Sequence, residues 1–207
     1  VTYFYALQIS SVAIGMLSLF TFPAITALLE PLYFQTTFNK RHLFLTFLAI
    51  VGLSFMVPEI SFSNHNTQGI AWGVVSALCY SLRNLTMKSN SQKYDSAILM
   101  FYQFLFVALC FAPFLLDSKA TKTIDSFEHL LFLGIFTTAI GHTLFVKSFK
   151  NFSVATASII ASSQPLFGVI LGYLFLHETP NKWVLTGGCI VLSSVFVESL
   201  HSQKNNS

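Results

Sequence analysis

Apolar residues in this chain come in long unbroken runs, separated by short polar turns. Seven runs stand out: 11–34, 43–58, 69–88, 96–116, 129–147, 153–176 and 183–199. A helix crosses the hydrocarbon core of a bilayer with about 20 residues, in a range of roughly 17–25. Most of the runs fit that length, the shorter ones being 43–58 and 183–199, and residues 1–9 read as the end of an earlier span. Stretches such as Val169-Ile170-Leu171-Gly172-Tyr173-Leu174 do not alternate apolar with polar, as barrel strands would. Inside lipid the backbone must satisfy its own hydrogen bonds, and helices do so. The pattern predicts an all-α polytopic membrane protein, with about seven complete transmembrane helices plus the end of an eighth. The connections, including Gln35 to His42, Ser61 to Gln68, Ser89 to Asp95 and Asp117 to Glu128, are too short to separate soluble domains. The polar tail from His201 to Ser207 is expected to fray.

Composition agrees. Of 207 residues, 54% are apolar or aromatic and 9% are charged, against roughly 25% charged in an ordinary soluble domain. Mean hydropathy is +0.66. A soluble enzyme and a disordered chain are both excluded by this balance. A net charge of +3 without a dense basic patch gives no reason to expect a nucleic-acid partner. The lipid bilayer and a small-molecule solute are the expected partners, with a homodimer a further expectation. Cys79, Cys110 and Cys189 sit singly inside apolar runs and read as small buried apolar residues. No metal, cofactor or Walker-type phosphate loop is indicated. The chain opens on Val1 within an apolar stretch, so an upstream segment is expected to be missing. Lys and Arg favour the cytoplasmic side. Lys40, Arg41, Arg83, Lys88, Lys93, Lys147, Lys150 and Lys204 would collect on one side, against Lys119, Lys122 and Lys182 on the other. That puts the C-terminus in the cytoplasm of a multi-pass protein of the plasma (inner) membrane.

Sliding the chain by 142 residues lays residues 1–57 on 143–199 without a gap. Ser11-Val12-Ala13 falls on Ser153-Val154-Ala155, Pro23 on Pro165, Leu29 on Leu171, and Asn39-Lys40 on Asn181-Lys182. From the span holding Pro23 to the one holding Pro165 is five spans. An odd number turns the second copy over in the bilayer. The expected architecture is therefore an inverted repeat, an arrangement many secondary transporters use.

These stretches resemble the EamA-type branch of the drug/metabolite transporter superfamily. The resemblance rests on Tyr3-Phe4-Tyr5-Ala6-Leu7 followed by Ser11-Val12-Ala13, and on Pro23 with Leu28-Leu29-Glu30-Pro31-Leu32. In the second half it rests on Ser153-Val154-Ala155, Gln164-Pro165-Leu166-Phe167 and Leu174-Phe175-Leu176-His177-Glu178. It implies ten helices in two five-helix units, of which helices 1, 2 and most of 3 are absent here. Residues 1–60 would be the C-terminal part of the first EamA-like repeat, 69–200 the second, and 201–207 a polar cytoplasmic tail. The first copy has Thr36 where the second has Glu178, a departure from the pattern that weighs against any role resting on paired glutamates.

Candidate chemistry lies in the few polar groups inside spans. Pro23 and Pro165 sit near mid-span, where proline removes a helix hydrogen bond. They read either as broken helices lining the solute route or as packing kinks. Ser162, Ser163 and Gln164 precede Pro165, with Thr21 matched to Ser163. They offer hydrogen bonds to a solute, or they bond to their own helices. Glu30 lies in a span one residue before Pro31. It reads either as a proton-coupling or amine-binding carboxylate, or as a group reaching water near Lys40 and Arg41; its nearness to the loop favours the second. His142 reads as a relay or cargo ligand, or as a neutral histidine bonded to a neighbouring helix. Arg83 with Asn84 either snorkels to the surface or attracts an anion from the pore. Tyr80, Tyr102 and Gln103, together with Trp72, read either as an aromatic and polar cavity wall or as interface-belt aromatics, the second favoured for Trp72 near a span end.

No Ser-His-Asp or metal-ligand constellation appears among these residues. The sequence therefore points to a secondary transporter of small organic solutes, not an enzyme, working by alternating access. The resemblance implies amino acids, metabolites or drugs as cargo, and export as the direction. A membrane-embedded enzyme or a non-transporting receptor or scaffold is the alternative.

Overall fold

The computed structural model describes residues 2–10, 15, 18–56, 64–113, 127–176 and 182–206. Ser11-Val12-Ala13, His177-Glu178 and most of the loop from Asp117 to Glu128 lie outside them. Every regular element among the described residues is a helix. They are α1 (Thr2–Ile9), α2 (Phe22–Phe34), α3 (Lys40–Met56), α4 (Asn64–Ser91), α5 (Ser96–Phe111), α6 (Phe127–Leu133), α7 (His142–Ser148), α8 (Val154–Ala161), α9 (Gln164–Leu176) and α10 (Lys182–Asn206). A π-helical segment, Gly134–Gly141, joins α6 to α7.

Three stretches among the described residues are long and apolar enough to cross a membrane: Leu131–Ser148, Val154–Phe175 and Lys182–His201, of 18, 22 and 20 residues. α2 and α5 are apolar but shorter. Large apolar side chains point outward throughout; Phe175 is 76% exposed and Phe106 68%. Apolar surface this extensive is not sustained in water, and marks a protein whose surroundings are lipid. The chain is an integral membrane protein.

The same reasoning corrects the expectation for the cysteines. Cys79, Cys110 and Cys189 are exposed, not buried. In a bilayer an outward position is still an apolar one, so a thiol gains little by turning inward.

Two of the predicted spans are not single helices. The run 11–34 is interrupted at Phe20-Thr21, and 153–176 is interrupted at Ser162-Ser163. Pro23 and Pro165 therefore lie in the first turns of α2 and α9, and not in mid-helix. A missing N–H costs nothing there. The prolines restart the helices, and the interruption precedes them. The bounds of α2 recur 142 residues later as those of α9, and Lys40 and Lys182 begin α3 and α10. At the far end α10 runs on to Asn206, so the tail continues the last helix instead of fraying.

The chain divides into two compact units, 1–85 with 152–207, and 86–151. In the first, α3 and α10 form the principal helix pair and run antiparallel. Arg41 at the start of α3 meets Glu198 late in α10, and Phe55 near its end stacks on Trp183 with ring centroids 6.0 Å apart. Between these contacts the backbones approach closely: a Cβ on Gly52 would lie 2.8 Å from the Gly187 carbonyl oxygen and from Val191 Cγ2. Leu45, Ala49 and Leu53 repeat at four-residue spacing and are buried on this side of α3. Small residues at a crossing let membrane helices gain packing contacts that a lipid tail cannot match.

In the second unit, Asp95 caps α5 by accepting the Ala97 N–H at 2.8 Å. Lys88 Nζ and Gln92 Nε2 both donate to the Phe149 carbonyl, just past the end of α7. A cation suits the negative end of a helix.

Candidate functional site

The two interrupted stretches meet at one core. Phe20 and Phe22, either side of the first interruption, are buried with Leu53, Ala77 and Val191; Ala161, Leu166 and Tyr80 pack against that cluster. Tyr80 meets Phe22 edge-on at 4.9 Å. Tyr80 thus packs on the same core as Ala161 and Leu166, which flank Ser162–Pro165. Beside them, Ser81 Oγ accepts from Thr26 Oγ1 at 3.0 Å and shares its proton between the carbonyls of Phe22 and Ala77. This ties the start of α2 to α4.

The hydroxyls at the interruptions turn onto their own chain. Thr21 donates to the Ser18 carbonyl at 2.7 Å, Ser162 to Ser158 at 3.2 Å, and Ser163 to Ile160 at 2.8 Å. Their remaining lone pairs can accept. Gln164 is exposed, Pro165 is half-buried and Pro23 is buried. Two buried hydroxyls, Thr46 Oγ1 and Ser158 Oγ, have no hydrogen-bond partner among the described residues.

Arg83 lies with its guanidinium 5.8 Å from the Tyr80 ring centroid and donates to Asn84 Oδ1 at 2.9 Å. Asn84 is buried. The remaining candidates, Tyr102, Gln103 and His142, belong to the second unit. Tyr102 is 63% exposed and meets Phe101 edge-on; Gln103 and His142 are half-buried. His142 follows the π-helical segment, and its backbone N–H bonds the Thr138 carbonyl. Widened turns of this kind recur at functional sites in helical proteins.

A second polar group forms at the end of the first unit where α3 begins. Glu30, on α2, accepts the backbone N–H groups of Val154 and Ala155, each at 2.7 Å, one with each carboxylate oxygen. Ser153 accepts the Thr156 N–H at 3.0 Å. The first amides of a helix have no partner within it, and at α8 these two side chains satisfy three of them. A carboxylate here also faces the positive end of the helix dipole.

One turn further in, Glu198 is fully buried. Its Oε1 accepts from Thr156 Oγ1 at 2.6 Å and lies 3.2 Å from His42 Nε2; its Oε2 lies 3.3 Å from Arg41 Nε. The Ser153 hydroxyl donates in turn to Thr156 Oγ1 at 2.9 Å. Glu198, Arg41, His42 and Thr156 were not singled out by sequence reasoning. The available signal was a glutamate near the end of the last span, and an Arg-His pair at the start of the helix that begins 142 residues before α10.

Among the described residues no group of three His, Cys, Asp or Glu side chains is placed to hold a metal ion.

A profile described as the EamA-like transporter family matches residues 67–200. An uncharacterized transporter of Archaeoglobus fulgidus is 28% identical over 196 residues, covering 95% of this chain and 70% of that protein. The pseudopaline exporter of Pseudomonas aeruginosa is 22% identical over 194 residues, covering 93% of this chain and 67% of its own length. The S-adenosylmethionine uptake transporter of Rickettsia bellii is 30% identical over 122 residues, covering 57% of this chain and 41% of its own. A crystal structure superposes with a TM-score of 0.79 at 15% identity, over all of this chain and 73% of the other. That likeness concerns the fold. The chain spans only part of each relative's length.

Proposed function

Because the chain belongs to the EamA-like transporter family, we propose that it is a secondary carrier for small organic solutes, working by alternating access and in the export direction. Amino acids, metabolites and drugs are the solute class. The C-terminus lies in the cytoplasm and the membrane is the plasma (inner) membrane.

One observation carries the reading: helix interruptions 142 residues apart, at Phe20-Thr21 and Ser162-Ser163, converge on a single core. Interrupted helices leave backbone groups free inside the bilayer, and these are tolerated only where protein or a cavity receives them. The antiparallel course of α3 and α10, whose starts correspond in the repeat, supports an inverted repeat, which lets two halves exchange conformations about a common site. Thr46 and Ser158, buried with hydroxyls that have no partner among the described residues, are polar groups that a solute or its water can satisfy.

In this reading Thr21, Ser162, Ser163 and Gln164 supply hydrogen bonds at the interruptions, and Pro23 and Pro165 hold the helix restarts. Tyr80, Arg83 and Asn84 present a ring, a cation and an amide to the solute. Tyr102, Gln103 and His142 are polar candidates of the second unit taken by itself.

The test is flux. The full-length protein is reconstituted into proteoliposomes. Radiolabelled amino acids, nucleosides and organic cations are then offered with and without the same unlabelled solute inside. Accelerated uptake of at least one solute when the vesicle is preloaded is expected. Absence of exchange for every class would refute a carrier.

A further inference from the structure

Glu198 is a carboxylate with no exposure, on a chain whose surroundings are lipid. A buried charge there is expensive even when paired, and is by default functional. Among the described residues, two elements pack against it, α3 and α8. From α3 come the permanent cation Arg41 and the titratable His42; Lys40 is exposed at the helix start. From α8 come only hydroxyls, Thr156 and behind it Ser153. Glu30, on α2, is already committed to the two amides of α8. On α10 itself, His201 is exposed.

The position of His42 is unusual. Its Nε2 lies 3.2 Å from Glu198 Oε1, 3.4 Å from Arg41 Nη2 and 3.5 Å from Asn39 Nδ2. With a proton on Nε2 the ring donates to the carboxylate, and its contacts with Arg41 and Asn39 become donor against donor. Without that proton it accepts from Arg41 or Asn39, and then faces the carboxylate lone pair against lone pair. A proton on Glu198 removes that conflict, because the acid can donate to the bare Nε2. One proton therefore has two places to sit, Glu198 Oε1 or His42 Nε2, and the place it takes decides which contacts hold.

We infer that Glu198 and His42 form a proton-binding site of the carrier, and that its occupancy sets whether α3, α8 and α10 are latched at this end. The site rests on the carrier reading above. With Glu198 ionised, Arg41, the Nε2–H of His42 and the Thr156 hydroxyl all converge on it, and the three helices are held. When a further proton reaches Glu198, the charge that Arg41 faces is gone and the latch releases. Arg41 cannot be deprotonated in a protein and then turns toward water at the half-exposed edge of the cluster. Release at this end while the other stays closed is what a proton-linked carrier needs.

The experiment needs no solute. Spin labels are placed at the exposed positions Lys40 and His201 of the full-length protein in lipid, with Cys79, Cys110 and Cys189 replaced by alanine. Their separation is measured by double electron–electron resonance from about pH 3 to 8, a range that reaches below the ordinary value of a carboxylate. The parent should show a short distance at neutral pH and a growing longer population on acidification. Glu198→Gln, with no charge to pair, should hold the longer population at every pH. Thr156→Val removes a hydrogen bond that is stronger to the ionised form, so the midpoint of opening should move toward neutral. His42→Gln should change the steepness or midpoint of the transition while still closing at neutral pH.

A parent distance that ignores pH, or a Glu198→Gln protein that keeps the parent's pH response, overturns the inference. If Glu198→Gln does not fold, Thr156→Val and His42→Gln decide alone: both leaving the midpoint in place overturns it equally. Loss of flux with an intact distance response would fault the carrier reading and leave the proton site standing.

Discussion

Glu30→Ala tests the relation between α2 and α8. Each carboxylate oxygen of Glu30 accepts one backbone N–H at 2.7 Å. A hydrogen bond to a charged group contributes about 1.5–3 kcal/mol. Glu30 is half-buried, so water reaches part of the vacated space and replaces some of that. Two such bonds, less the water's share, put the loss for Glu30→Ala at about 2–4 kcal/mol. Glu30→Gln keeps one acceptor and turns an amide donor toward a backbone donor, for a loss of about 1–2 kcal/mol. The assay is reversible unfolding of the reconstituted protein in mixed micelles, with far-UV ellipticity as the signal. The same two variants are then run in flux across a pH series. If Glu30 is a cap, Glu30→Gln lowers stability and leaves the pH profile of transport where it was. A stability loss under about 0.5 kcal/mol for Glu30→Ala, below even a typical helix cap, would refute the geometry. A flattened pH profile in Glu30→Gln would return Glu30 to the coupling role its sequence position also allowed.

Two further substitutions separate close packing from open surface. Gly52→Val puts methyl groups against the Gly187 carbonyl and Val191 and should cost about 1–3 kcal/mol, whereas Gly134→Ala meets nothing within 4 Å and should be neutral or stabilising by up to about 1 kcal/mol; the same unfolding assay ranks them. Ser81→Ala leaves the buried Thr26 hydroxyl without its acceptor and should cost about 1–3 kcal/mol, with Ser81→Ala/Thr26→Val recovering part of it in a double-mutant cycle.

The sequence was most readable where a single physical rule acts over many residues. Unbroken apolar runs without charge, such as 96–116 and 153–176, demand helices because lipid offers the backbone no other partner. The two prolines marked where helices restart, though a linear reading places them in mid-span; only the geometry shows the chain turning at Thr21 and Ser162-Ser163 just before them. The polar cluster at Glu198 was not readable for a different reason. Hydropathy ranks positions along one helix, while Glu198, Arg41, His42 and Thr156 come from three helices and up to 157 positions apart. No local spacing encodes such a meeting. Glu30 illustrates both sides: its cost inside a span was evident, but its partners, the amides of Val154 and Ala155, have no side-chain signature at all. The cysteines were misjudged because burial rules calibrated in water do not hold where the outside is hydrocarbon.

The inverted repeat is tested most directly by asking which face of the membrane two matched residues reach. Lys40 and Lys182 begin α3 and α10, are both exposed, and correspond in the repeat. Single cysteines at these positions, in a protein otherwise free of cysteine, are labelled in sealed vesicles with a maleimide that cannot cross the bilayer. Lys40→Cys should react from the cytoplasmic face and Lys182→Cys from the opposite one. Labelling of both from the same face would contradict the inversion, and alternating access by exchange of two mirrored halves with it.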